Sequence, residues 1–188
     1  LRSEHTGVAV DVLDVSGQSV LVRDEAGPLV LIDAGDDPGR LLQQLSEAAG
    51  SGAGRIDIVA ITEGRQDRTA GLIDLLDSFE VGILIVPPGP PATFTERWLR
   101  DEFAARGTQV VEASGRERVE MDGLELGVAL AGTYEDRTSL AVLLRTGDGE
   151  ITVGGLDGPA QPGGIVIAPA GRLQPATVDR LAPAFAVL

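Results

Sequence analysis

The sequence predicts a layered α/β sandwich, and three observations carry that prediction. Short apolar strands alternate with stretches of helical apolar periodicity along the whole chain. Several neighbouring strands are joined by tight glycine-containing turns, which make antiparallel hairpins. The longest apolar runs, near residues 81–88 and 165–170, have strand length and are too short to span a membrane. Interleaved helices combined with so many hairpins argue for layered sheets rather than a doubly wound parallel sheet. The chain of 188 residues and 19.5 kDa is expected to form one domain over residues 1–188. Residue 1 is Leu rather than Met, so the expectation is a fragment of a longer chain.

The opening third reads as a meander. Residues 8–15 form a first strand, Gly17 turns into a second at 19–24, and Ala26-Gly27-Pro28 turns into a third at 29–33. Asp36-Asp37-Pro38 is a helix start, with a carboxylate cap and a proline in the first turn. The helix carries Leu41, Leu42, Leu45, Ala48 and Ala49 on one face and stops at Gly50-Ser51-Gly52.

The middle of the chain is organised around residues 56–72. Ile56 to Ile61 is a buried strand, and Leu72, Leu75, Leu76 and Phe79 recur at helical spacing after it. Between them lies Thr62-Glu63-Gly64-Arg65-Gln66-Asp67-Arg68, a polar loop at the carboxyl end of a strand, where α/β folds place their chemistry. A strand at 81–86 follows and ends in Pro87-Pro88-Gly89-Pro90-Pro91. Thr95-Glu96 opens a helix with Phe94, Trp98, Leu99 and Phe103 as its inward stripe, and Gly107 ends it.

The last third is richer in strands. A strand at 109–112 precedes a hairpin over 117–130 with its turn at Asp122-Gly123, and a second hairpin spans 139–153. A Gly/Pro-rich loop at 154–164, a strand at 165–168, a short helix at 177–182 and a strand at 185–188 close the chain.

Charge and composition exclude several functions. The net charge is −14, from 29 acidic and 15 basic residues, all of the latter Arg. Such acidity argues against a broad nucleic-acid-binding face, which needs clustered cations. With no cysteine there is neither disulfide, thiolate metal site nor cysteine nucleophile. The single histidine, His5, lies outside every motif. A Ser-His-Asp arrangement has no other histidine to draw on, and no phosphate-cradling Gly-Lys loop is present. Glu135-Asp136, ahead of Arg137-Thr138-Ser139, could supply a general base but reads as a solvated turn pair.

Several segments resemble landmarks of the metallo-β-lactamase fold, most closely the C-terminal soluble domain of ComEC-type DNA-uptake (competence) proteins. Leu31-Ile32-Asp33-Ala34-Gly35 is similar to an Ile-Asp-Gly/Ala-Gly signature, and residues 55–72 align without a gap with a Thr-His-x-His-x-Asp-His-x-x-Gly-Leu segment. Residues 139–145 resemble a Ser-Leu-Val-Leu-Arg segment, Val153-Gly154-Gly155-Leu156-Asp157 a Thr-Gly-Asp segment, and 165–171 a strand running into His-His-Gly. The resemblance implies an αββα four-layer sandwich with two mixed sheets. It further implies the soluble, extracytoplasmic part of a bacterial inner-membrane protein. Its partners would be the transmembrane part of its own chain, single-stranded DNA or a protein, without lipid contact.

The departures from that family decide the expected chemistry. Where its histidines stand, this chain has Glu63, Arg65 and Arg68; Asp67 is retained, Leu156 and Asp157 replace the ordered Asp, and Pro169-Ala170-Gly171 replaces His-His-Gly. Zinc sites use imidazole, thiolate and carboxylate donors, whereas arginine keeps its proton. A guanidinium about 4 Å from a divalent ion is repelled by roughly 8 kcal/mol at an effective dielectric of 20. The expectation is therefore a vestigial site made of Glu63, Arg65, Asp67, Arg68 and Asp157, with no metal, no cofactor and no catalytic residue. Asp33 is expected to be a structural carboxylate bracing the loop, as the family implies.

Three readings of that loop stay open. Alternating charges can form a local ion-pair cluster. Arg65 and Arg68 can bind an anion, phosphate or nucleotide. Glu63, Asp67 and Asp157, with Asp33, can hold Mg²⁺ or Mn²⁺ through oxygen alone, which would make the chain a metal-dependent phosphodiester hydrolase (nuclease).

Overall fold

The computed structural model describes residues 8–24, 27–49, 54–121, 124–134, 137–146, 149–154, 165–167 and 185–187. The first sheet begins with the expected meander: β1 (Val8–Val12), β2 (Val20–Asp24) and β3 (Leu29–Ile32) pair antiparallel. It continues in parallel through β4 (Arg55–Ala60), β5 (Glu80–Val86) and β6 (Gln109–Glu112), in the order β1-β2-β3-β4-β5-β6. The second sheet is an antiparallel run of β7 (Arg118–Met121), β8 (Leu124–Tyr134), β9 (Arg137–Thr146) and β10 (Gly149–Gly154). To it β11 (Ile165–Ile167) and β12 (Phe185–Val187) add in parallel. Both sheets are mixed, as the predicted sandwich requires.

The strand sequences follow from what covers each face. Val20, Val22, Val30, Ile32, Ile58, Ala60 and Ile85 face Leu126, Val128, Leu140, Val142, Leu144 and Val153 in a core between the sheets. Leu21, Leu31, Val59, Leu84 and Val86 point the other way and pack beneath the helices. A sheet covered on both faces needs apolar side chains at consecutive positions, which is why β3 reads Leu-Val-Leu-Ile with all four buried.

The helices α1 (Pro38–Ala49), α2 (Gln66–Thr69), α3 (Leu72–Leu75) and α4 (Phe94–Ala105) lie on that outer face, bringing Leu41, Leu45, Leu72, Leu75, Leu99 and Phe103 to the core. Asp37 caps α1 as expected, its Oδ1 accepting from Arg40 N at 3.0 Å.

Two expectations change. The helix after the polar loop is two short pieces: Ile73 N donates to Ala70 O at 3.1 Å, a tightened i→i−3 turn at Ala70-Gly71. The hairpins expected at 117–130 and 139–153 both form, β7 with β8 and β9 with β10, and they join into one meander because β8 and β9 also pair directly from Glu125↔Arg145 to Tyr134↔Arg137, with a bulge between Ala131 and Thr133. In α4, Leu99 and Phe103 are buried, but Phe94 is 81% and Trp98 36% exposed. Thr93 caps that helix, accepting from Glu96 N at 3.1 Å, and buried Glu96 takes the inward place beside Leu99. At about 100° per residue Phe94 then faces away from Leu99. The helix expected at 177–182 and residues 155–164 of the loop expected at 154–164 lie outside the described residues, while Gly154 ends β10.

Candidate functional site

Neighbouring parallel strands β3 and β4 both end at the polar loop, so their carboxyl-terminal residues meet. Asp33 leaves β3 with φ +56, a left-handed conformation that aspartate tolerates better than most side chains. Its carboxylate is fully buried and clamped by the next strand. Oδ1 accepts from Thr62 N at 2.7 Å and Oδ2 from Thr62 Oγ1 at 2.6 Å. Arg68 comes down from α2 into the same interior. Its Nε lies 3.9 Å from Asp33 Oδ2, too far for a hydrogen bond, and is buried without a hydrogen-bond partner among the described residues.

Burial pushes the Asp33 carboxyl up from 3.8 to about 7, against the pull of the Arg68 guanidinium and the Thr62 hydrogen bonds, while nearby Glu63 reinforces the rise. The folded chain therefore keeps a proton that the unfolded chain releases near 3.8. The stabilisation from Asp33 is complete below that pH and is lost as pH rises through about 7. Urea unfolding across this window should show wild type losing stability relative to Asp33→Asn by a few kcal/mol. Parallel curves for the two proteins would reject the assignment.

The remaining loop charges lie nearer the surface, with Arg65 exposed, Asp67 partly exposed and Glu63 mostly buried. Arg65 makes a two-pronged contact with Asp67, Nε to Oδ1 at 3.0 Å and Nη2 to Oδ2 at 3.2 Å, and its Nη1 is 3.8 Å from Glu63 Oε2. The structure thus divides the predicted site residues into a trio held around Arg65, with Glu63 and Asp67, and an internal pair, Asp33 and Arg68. Asp157, His5, Glu135, Asp136 and Pro169-Ala170-Gly171 lie outside the described residues.

Further residues, not read from the sequence as part of the site, shape the surroundings. Glu96 is buried, accepts from Ala92 N at 2.6 Å and pairs with Arg100 four residues on. Its carboxylate lies where a side chain at Gly64 would have to be: an added Cβ would stand 1.9 Å from Oε2. Thr93 Oγ1 donates to Gly64 O at 3.3 Å, and Leu140 N of β9 donates to Thr62 O at 2.8 Å. These elements enclose a cleft of about 280 Å³. Glu63, Gly64 and Arg65 form one wall, Ala92 a second, and Arg137, Thr138 and Ser139 at the start of β9 the third.

Neither a protein-family model nor a curated protein matches this sequence. Solved structures do match. Zn(2+)-bound PqqB from Methylobacterium extorquens superposes with a TM-score of 0.61 at 17% identity, over 81% of this chain and 60% of that one. A Cronobacter sakazakii metallo-β-lactamase with an HARLDQ motif gives 0.52 at 19% identity, over 72% and 51%. The metallo-β-lactamase fold protein YhfI from Bacillus subtilis gives 0.59 at 13% identity, over 86% and 70%. This chain has the metallo-β-lactamase fold, and it spans 60% and about half of the first two proteins.

That fold is associated with zinc in PqqB, so the residues present here can be tested against the ion. Both carboxylate oxygens of Asp67 are engaged by Arg65, and Arg68 places a permanent cation beside Asp33. Among the described residues no three His, Cys, Asp or Glu side chains group closely enough to hold a metal ion. These donors do not fit zinc. The described residues also include no helix long and apolar enough to cross a membrane.

Proposed function

We propose that this is a non-catalytic domain of the metallo-β-lactamase fold, whose centre is filled by an internal charge pair instead of a metal. The observation that carries the reading is the Arg68 guanidinium, 4% exposed and 3.9 Å from buried Asp33. Arg65 alone would not suffice. Written beneath Glu63-Gly64-Arg65-Gln66-Asp67-Arg68, the HARLDQ motif of the Cronobacter metallo-β-lactamase has the same Arg and Asp in its third and fifth places. The difference at the last place, Arg68 for Gln, puts a fixed positive charge in the interior.

The domain is further proposed to be the soluble module of a longer ComEC-type DNA-uptake membrane protein. Its role there would be structural, regulatory or DNA-contacting, and it would meet its own transmembrane part, a protein or a DNA strand. The order of the sequence motifs supports this step, and the acidic charge of −14 confines any DNA contact to a limited patch.

Elemental analysis of the purified protein, followed by a nuclease assay in Mn²⁺, tests the first part. The expected result is substoichiometric metal and no cleavage. Stoichiometric metal with turnover would establish the competing reading, a phosphodiester hydrolase using oxygen ligands alone.

A further inference from the structure

We propose that the cleft beside Arg65 and Arg137 binds a small phosphate monoester through guanidinium groups. The positions of the arginines point to this use. Arg68, the second arginine of the anion reading, is committed to the interior against Asp33. Arg137 takes its place from the start of β9: it is exposed, lines the cleft together with Arg65, and makes no ion pair among the described residues.

The other groups in the cleft are consistent with an oxyanion there. Arg65 is oriented by Asp67 and Glu63, which leaves donors on its guanidinium beyond the two spent on Asp67. Glu63 faces Arg65 and steadies it, so the ligand's negative charge belongs nearer Arg137. Thr138 also lines the cleft, and the Ser139 hydroxyl is already spent on Ala131 O.

A tetrahedral dianion can present oxygens to donors on two walls, which a planar carboxylate cannot do as well. Phosphate recognition by arginine forks is general chemistry, and here it would draw on two of the 15 arginines of a chain of net charge −14. The cleft volume of about 280 Å³ leaves room for a body attached to the phosphate.

The proposal rests on the metal-free reading in one respect: arginine, not a metal, supplies the positive charge. Calorimetric titration at low ionic strength in chelator tests it, with inorganic phosphate, adenosine monophosphate and adenosine as probes. Saturable binding is expected for the first two and none for adenosine. Arg137→Ala should weaken binding by about tenfold or more. Arg137→Lys should be intermediate, and Arg116→Ala, outside the cleft, should match wild type. Absence of phosphate binding, or equal affinity in Arg137→Ala, would overturn this proposal and leave the metal-free reading standing. Binding that appears only after zinc or manganese is added would overturn both.

Discussion

Replacing Arg68 with methionine is expected to cost about 3 kcal/mol near pH 9 and close to nothing near pH 5. At the lower pH Asp33 holds its proton, because burial sets its carboxyl at about 7. No charged partner is then stranded, and methionine fills much of the arginine's volume. At the higher pH the carboxylate is ionised, and its nearest cation, 3.9 Å away, has been removed. Breaking a buried pair from one side generally costs about 3–5 kcal/mol; the long separation and the unbonded Nε place this one at the low end. Urea unfolding at the two pH values measures the difference. An equal loss at both would show that Arg68 contributes packing rather than charge. The double variant Asp33→Asn/Arg68→Met, which retains neither ionisable group, should be insensitive to the change in pH.

The second large effect is expected at Gly71. An added Cβ would stand 2.0 Å from Ala34 O, 2.9 Å from Ala34 C and 3.1 Å from Leu41 Cδ2. The conformation at Gly71 is ordinary for a helix, φ −56, so the requirement is for space and not for backbone freedom. Gly71 N also donates to Gly35 O at 3.0 Å, which fixes the α2–α3 junction against the turn that carries Asp33. Main-chain atoms cannot rotate aside, and Gly71→Ala should destabilise by about 3 kcal/mol. Gly54→Ala is the control, since nothing lies within 4 Å of a Cβ there. Matching chemical-denaturation midpoints for the two variants would contradict the close packing at Gly71.

The fold was legible because apolar side chains report which faces are covered. Leu-Val-Leu-Ile in β3 and Ile-Leu-Ile-Val within β5 announce strands sandwiched between two layers, and the alternation in β7 and β8 announces hairpins. The phase of α4 was not legible. Phe94 and Trp98 look like core residues until the Thr93 cap and the buried Glu96–Arg100 pair fix the rotation of the helix, and a charged inward residue defeats a purely apolar count.

At the site, the departure of Glu63, Arg65 and Arg68 from zinc donors could be read directly from side-chain chemistry. The division of labour could not. Arg65 and Arg68 are three residues apart in sequence, yet one reaches Asp67 at the surface and the other goes inward to Asp33. Arg137 was invisible as a wall of the cleft because β9 reaches the loop through a bond between its Leu140 and Thr62, a contact that local periodicity does not encode.

That bond has a kinetic consequence. The loop is moored to α4 through Thr93 and Gly64, and to the second sheet through Leu140 and Thr62. Widening the cleft would mean detaching it from both at once. A molecule entering it would meet an aperture already set, and its arrival rate should scale linearly with concentration, without the plateau that a slow opening step imposes.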